Sequence, residues 1–110
     1  LACLLLAACQ PEVRDSRFID DAAALLEQVR IAGGEEYAPL DVRAARERLV
    51  DARGLFDQRE YERAKWLSEQ SEVHSELAEA KARAAQAREA ARERRREIDQ
   101  LRVELLGEES

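Results

Sequence analysis

The chain has 110 residues, enough for one small domain. It holds only five aromatics, 38% of it is charged, and much of its apolar fraction is alanine; this excludes a large core and points to closely packed or extended helices. A net charge of −6 weighs against a nucleic-acid binder, and confinement of the two cysteines to Cys3 and Cys9 excludes a disulfide framework or a cysteine zinc site.

Leu1 to Ala8 is apolar and uncharged, with small residues ahead of Cys9. This pattern predicts the end of a secretory signal peptide over 1–8, with a basic region expected before it. The run is too short to span a bilayer, which takes about 20 apolar residues. Leu6-Ala7-Ala8-Cys9 resembles the lipobox of bacterial lipoproteins. That resemblance implies a diacylglyceryl group on the Cys9 thiol, cleavage before Cys9 and acylation of the new amine. Several acyl chains on one residue suffice for stable anchoring. The chain turns polar at Gln10-Pro11-Glu12, so 9–15 is expected to be the lipidated cysteine and a tether. Inner-membrane retention in that family is marked by aspartate after the cysteine. Gln10 therefore implies the outer membrane, facing the periplasm.

Three helices are expected over about 16–106. The first covers about 16–32, capped by Asp15 or Ser16. Phe18, Ala22, Leu25 and Val29 recur at three- and four-residue steps, flanked by Ile19, Ala23 and Leu26. Gly33-Gly34 ends it, because glycine accepts the left-handed cap conformation. Pro39 opens the second helix, about 39–56, with its stripe on Val42, Ala45, Leu49, Ala52 and Phe56. Asp57 and Glu60 have the spacing of a capping box for a third helix over 58–106. No proline or glycine interrupts that stretch before Gly107, which leads into a tail over 107–110.

The fold class is therefore all-α. Short connections predict an antiparallel three-helix arrangement. The long third helix extends beyond it as a coiled-coil-like arm. Phe18, Phe56, Tyr61 and Trp66 are expected to meet at the end nearest the lipid, as the largest apolar cluster. Tyr37 is expected at the far end, beside Glu79 to Lys81. From about Ala82 the third helix would then lack an intramolecular partner. Its apolar residues repeat in heptads: Leu77, Ala84, Ala91, Ile98 and Leu105, alternating with Trp66, Val73, Ala80, Ala87 and Leu101, and interrupted by Arg94. Ile98, Leu101 and Leu105 are candidate partner-binding residues, for another copy or another envelope protein. Arg88, Arg92 and Arg96 stand four apart on one face and are candidates for binding an acidic partner helix, lipid phosphate or acidic wall polymer, whereas their default is solvation.

No catalytic constellation is visible. His74 is the sole histidine, and its neighbours one turn away are not strong metal ligands. The glycines do not form a phosphate loop. The sequence predicts no enzyme, cofactor, metal, nucleic acid or small-molecule substrate.

A second resemblance follows the tether. Ala32-Gly33-Gly34-Glu35-Glu36-Tyr37-Ala38-Pro39, then Ala44-Ala45-Arg46-Glu47-Arg48-Leu49, Tyr61-Glu62-Arg63-Ala64 and Leu77-Ala78-Glu79-Ala80-Lys81-Ala82 resemble the bacterial lipoprotein family called domain of unknown function 4398. The match covers about Phe18 to Ala91. It implies a periplasmic helical domain, joined in some members to a peptidoglycan-binding domain of the outer-membrane-protein-A type. No such segment precedes Ser110, so wall binding of that kind is not carried over. The segment from Phe56 to Ala64 also resembles a tetratricopeptide helix pair, but no 34-residue repeat follows. The leading expectation is a lipid-anchored structural protein that docks a partner through its long helix. The alternative is a periplasmic carrier or chaperone holding apolar ligands or unfolded chains near Phe18 and Trp66.

Overall fold

A computed structural model describes residues 15–107. The expectations for 1–14, including the lipobox and Cys9, lie outside the described residues. The chain is all-helical and elongated. Helix α1 covers Arg17–Val29, a wider turn follows over Arg30–Gly34, and a short helix, α2, covers Glu35–Tyr37. Then come α3, Pro39–Asp57, and α4, Tyr61–Gly107. With 47 residues, α4 is about 70 Å long at 1.5 Å per residue.

Local chemistry sets most of these boundaries. The Asp15 carboxylate, not the Ser16 hydroxyl, accepts the free Arg17 amide of the first turn. Gly33 turns the chain at φ 101°, a conformation that favours glycine. At Gly34 a side chain would sit 2.8 Å from the Val29 carbonyl oxygen, so only glycine fits there. Pro39 occupies the first turn of α3, where its missing amide costs little.

The turn between α3 and α4 differs from the expected capping box. Asp57 still belongs to α3, and α4 starts at Tyr61, three residues later than predicted. The Glu60 N–H donates to the Leu55 carbonyl (2.9 Å), and the Arg59 N–H donates to the Phe56 carbonyl (3.0 Å). This pair of bonds is a Schellman motif, and it places Arg59 in the left-handed region at φ 63°. The C-terminal closure of α3 therefore prevails over an N-terminal cap at Asp57.

The three long helices pack as up, down and up. Ser71 of α4 lies against Ala45 of α3, and Lys81 against Asp41, so α3 and α4 run antiparallel. Gln86 reaches Ala32, and Tyr37 reaches Glu89, so α4 runs alongside the α1 segment in the same direction. The branched core residues come from α1 and α3: Ile19, Leu26 and Val29 from one, Val42 and Leu49 from the other. The predicted stripes of these two helices are the buried faces. The residues of α4 that are buried are Ala64, Ser68, Ser71, Ser75, Ala78 and Ala82, all small.

This buried face is not the heptad seam, which points outward. Trp66, Val73 and Leu77 face solvent, with Trp66 58% exposed. The aromatic cluster does form at the expected end, with Phe18 and Phe56 rings 6.0 Å apart and Phe56 and Tyr61 rings 5.1 Å apart, both edge to face. Trp66 is not buried in it. The reason is steric: small side chains on α4 let α1 and α3 approach closely, and a Trp on that face would hold them apart.

The buried serines differ in how their hydroxyls are satisfied. Ser68 bonds back to the Ala64 carbonyl of its own helix (2.9 Å). Ser71 bonds across to the Ala45 carbonyl of α3 (2.8 Å). The Ser75 hydroxyl is buried without a partner. Ser71→Ala is thus expected to lower stability by about 1 kcal/mol, the net worth of a protein hydrogen bond. Ser75→Ala is expected to leave stability unchanged or raise it by up to ~1 kcal/mol, because it removes an unsatisfied hydroxyl. Urea unfolding of the two variants checks this; equal losses at both positions would refute the assignment.

Candidate interaction surface on the long helix

The bundle ends farther along α4 than the sequence suggested. Tyr37 does not stop beside Glu79 to Lys81. Its hydroxyl donates to the Glu89 carboxylate (2.8 Å), and this bond holds the Tyr37 proton on more firmly than usual. One turn earlier, the Gln86 side-chain amide donates to the Ala32 carbonyl (3.0 Å). The shift arises because the connection between α1 and α3 is itself helical, so α1, the wide turn and α2 climb further along α4 than a bare loop would. The arm therefore starts near Ala90, not Ala82. Its 18 residues to Gly107 project about 27 Å, and every one is exposed.

Asp41 pins α3 to α4 beneath this exit. Its side chain is mostly buried, and one carboxylate oxygen accepts from Lys81 Nζ at 2.6 Å. His74 Nδ1 lies 3.6 Å from the other oxygen, beyond hydrogen-bond reach. The Lys81 hydrogen bond holds the Asp41 carboxyl below the usual carboxylate range, against the opposing effect of burial. Close by on the outer side, Arg48 Nε donates to Gln70 (3.2 Å).

The outward face of α4 is the candidate surface. Steps of 100° per residue place the buried small residues on one side and Trp66, Val73, Leu77, Ala80 and Ala84 on the opposite side. The same stripe continues along the arm through Ala91, Ile98 and Leu105. Ile98, Leu101 and Leu105 are all more than half exposed. With Arg102 and Leu106 they line an open apolar groove of about 490 Å³.

Arg88, Arg92 and Arg96 are exposed but do not border this groove as a group. Each step of four residues advances about 40° around the helix. The basic residues therefore wind away from the stripe: Arg88 flanks it, and Arg96 lies well round the helix. The outward seam and the basic winding are two features.

At the root of α4, Phe18, Tyr61 and Trp66 line an open cleft of about 520 Å³ together with Asp15, Glu62, Lys65 and Glu69. Among the described residues, no cluster of three or more His, Cys, Asp or Glu side chains could hold a metal ion. Among them, too, no helix is long and apolar enough to cross a membrane.

The sequence reading missed the inner seam of α4. Its signal was present: Ala64, Ser68, Ser71, Ser75, Ala78, Ala82 and Ala85 alternate in steps of four and three. Apolarity alone favours the larger side chains on the other face.

A family model described as domain of unknown function (DUF4398) matches residues 17–94, and the chain belongs to that family. No curated protein and no solved structure matches the chain.

The Asp41–Lys81 pair gives a pH signature. A carboxyl whose folded pKa is depressed adds stability above its unfolded pKa of about 3.9 and loses it as pH falls through the lower folded value. Lys81→Met is expected to cost about 1 kcal/mol near pH 7, a modest figure because the Lys81 side chain is half exposed. The gap between variant and parent should shrink as pH falls below about 4. Thermal melts at pH 7 and pH 3 measure it; a gap of constant size would refute the pairing.

Proposed function

We propose that this DUF4398 chain is a lipid-anchored helical structural protein of the bacterial cell envelope, which docks a partner through its long helix. The observation that carries the proposal is the outward stripe of α4. A helix in a small protein normally buries its large apolar residues and exposes its small or polar ones. Here α4 buries alanine and serine and exposes Trp66, Val73, Leu77, Ile98, Leu101 and Leu105. Among the described residues, positions 90–106 of α4 are all exposed and run beyond the other helices, whereas helical stability in proteins comes mainly from tertiary packing. A partner on the stripe would supply it.

The anchor rests on Leu6-Ala7-Ala8-Cys9, whose likeness to a lipobox implies lipid on Cys9. Gln10 favours the outer membrane, with the domain in the periplasm. Because α1 begins a few residues after Cys9, the aromatic end of the bundle stands nearest the membrane. Tyr61, Lys65 and Trp66 suit that position, since aromatic residues favour the membrane–water interface. Helix α4 then runs away from the membrane and carries Ile98, Leu101 and Leu105 outward.

The cleft beside Phe18 and Trp66 supports a second reading, a carrier of apolar ligands or unfolded chains. Trp66 separates the two. Its fluorescence should stay unchanged on adding amphiphiles to a docking protein and shift if the cleft takes them up. The primary test is in cells. Cys9→Ser is expected to move the protein from the membrane to the soluble fraction and abolish labelling by fatty acid. A photocrosslinker at Leu101 or Leu105 should give discrete adducts, whereas one at Asp51, on the exposed back of α3, should not. Retention of Cys9→Ser in the membrane would refute the anchor; absence of adducts would refute docking.

A further inference from the structure

We infer that the partner on the outward stripe is a second copy of this chain, lying parallel and in register. This rests on the reading of α4 as the docking element and adds the identity and direction of what docks. The stripe alone would not choose an occupant. The residues that border it do.

With Leu77, Ile98 and Leu105 at one seam position and Trp66, Val73 and Leu101 at the other, each flank of the stripe is fixed by the heptad. One flank carries Glu76, Glu97 and Glu104. The other carries Lys81, Arg95 and Arg102. These residues are exposed, and Lys81 keeps half of its side chain in solvent even while bonded to Asp41. In a parallel pair each flank meets the opposite flank of the other copy, five residues on. Glu76 then faces Lys81 of the second copy, and Glu97 faces its Arg102. Symmetry makes each contact twice. Arg83 against Arg88 is the like-charged exception. An antiparallel pair would instead set acidic flank against acidic and basic against basic. One helix with one acidic and one basic border is therefore complementary to itself in the parallel sense.

The rest of α4 agrees. The inner, small-residue face is filled by α1 and α3 as far as Glu89, and beyond it that side runs through Arg92, Arg96 and Asp99, so its exposed apolar residues, Val103 and Leu106, are confined to the end of the arm. A second copy therefore docks on the outer side without disturbing the bundle. Parallel pairing brings both roots to the same end, as two anchors in one membrane require. Arg94 interrupts the seam, and a polar residue there sets register at a cost in affinity.

The test uses the full chain with Cys3→Ser and Cys9→Ser, unlipidated, by sedimentation over a wide concentration range. The parent is expected to form a dimer. Glu97→Arg alone or Arg102→Glu alone makes both symmetric contacts repulsive and should weaken the dimer about tenfold. Mixing the two variants restores opposite charges at both contacts and should restore parental affinity. A parent that stays monomeric at high concentration overturns the inference. So does a dimer indifferent to the two substitutions, or one that mixing fails to rescue. The Leu101 photocrosslink in cells separates this failure from that of docking itself. An adduct of two copies agrees with the inference, and an adduct only with a different protein overturns it while sparing docking. No adduct at all brings down both.

Discussion

Everything in this fold depends on α4 burying no side chain larger than serine on its inner face. Ala64, Ser68, Ser71, Ser75, Ala78 and Ala82 form a low shelf onto which α1 and α3 settle together. Those two helices supply Ile19, Leu26, Val29, Val42 and Leu49, which fill the space between them above the shelf. Alanine and serine bury little area each, so stabilisation comes from close approach and not from bulk. The arrangement explains how a chain with only five aromatics forms a packed domain.

A low shelf holds position poorly, and a few polar bonds set the register along it. Ser71 to Ala45 and Lys81 to Asp41 fix α3, Gln86 to Ala32 fixes the end of α1, and Tyr37 to Glu89 marks where the bundle stops. They are spaced along α4 over about five turns. Because the small residues recur every three or four positions, a slip of one turn would still match alanine with alanine. These directional contacts would be lost in such a slip, which gives the register its specificity. His74 contributes no hydrogen bond here; it lies beside Asp41 while Lys81 makes the contact.

The sequence was legible where size and polarity point the same way. In α1 and α3 the branched aliphatics recur at helical spacing against charged neighbours, so Ile19, Leu26, Val42 and Leu49 announce the buried face. The Gly33-Gly34 break and Pro39 are equally plain, since only their backbone chemistry is at issue. Helix α4 was harder, because its two candidate faces differ in kind: one is large and apolar, the other small and half polar. Periodicity weighted by apolarity selects Trp66, Val73 and Leu77, whereas the bundle selects the serine and alanine face. The end of the bundle was misplaced for a related reason. Residues 33–38 look like a loop opened by two glycines, yet helical rise continues past Gly33 through α2, and Tyr37 climbs to Glu89. The DUF4398 resemblance located the domain without resolving either point.

The division of α4 into two faces has a consequence for how its residues act. The inner face serves the folding of one chain, since its neighbours are α1 and α3. The outer face contributes almost nothing to that fold, because Trp66, Val73 and Leu77 meet water there. A large apolar side chain kept in water gives up the stabilisation its burial would bring, about 1.5–3 kcal/mol for a leucine or valine. The seam repeats that forfeit along a helix of about 70 Å, through the bundle and out along the arm. Confinement to the arm would suggest a frayed end; extension over the packed root as well, where small residues would serve α4 equally, does not. Substitutions on the two faces should therefore separate cleanly, those inside altering the stability of the bundle and those outside altering only what α4 associates with.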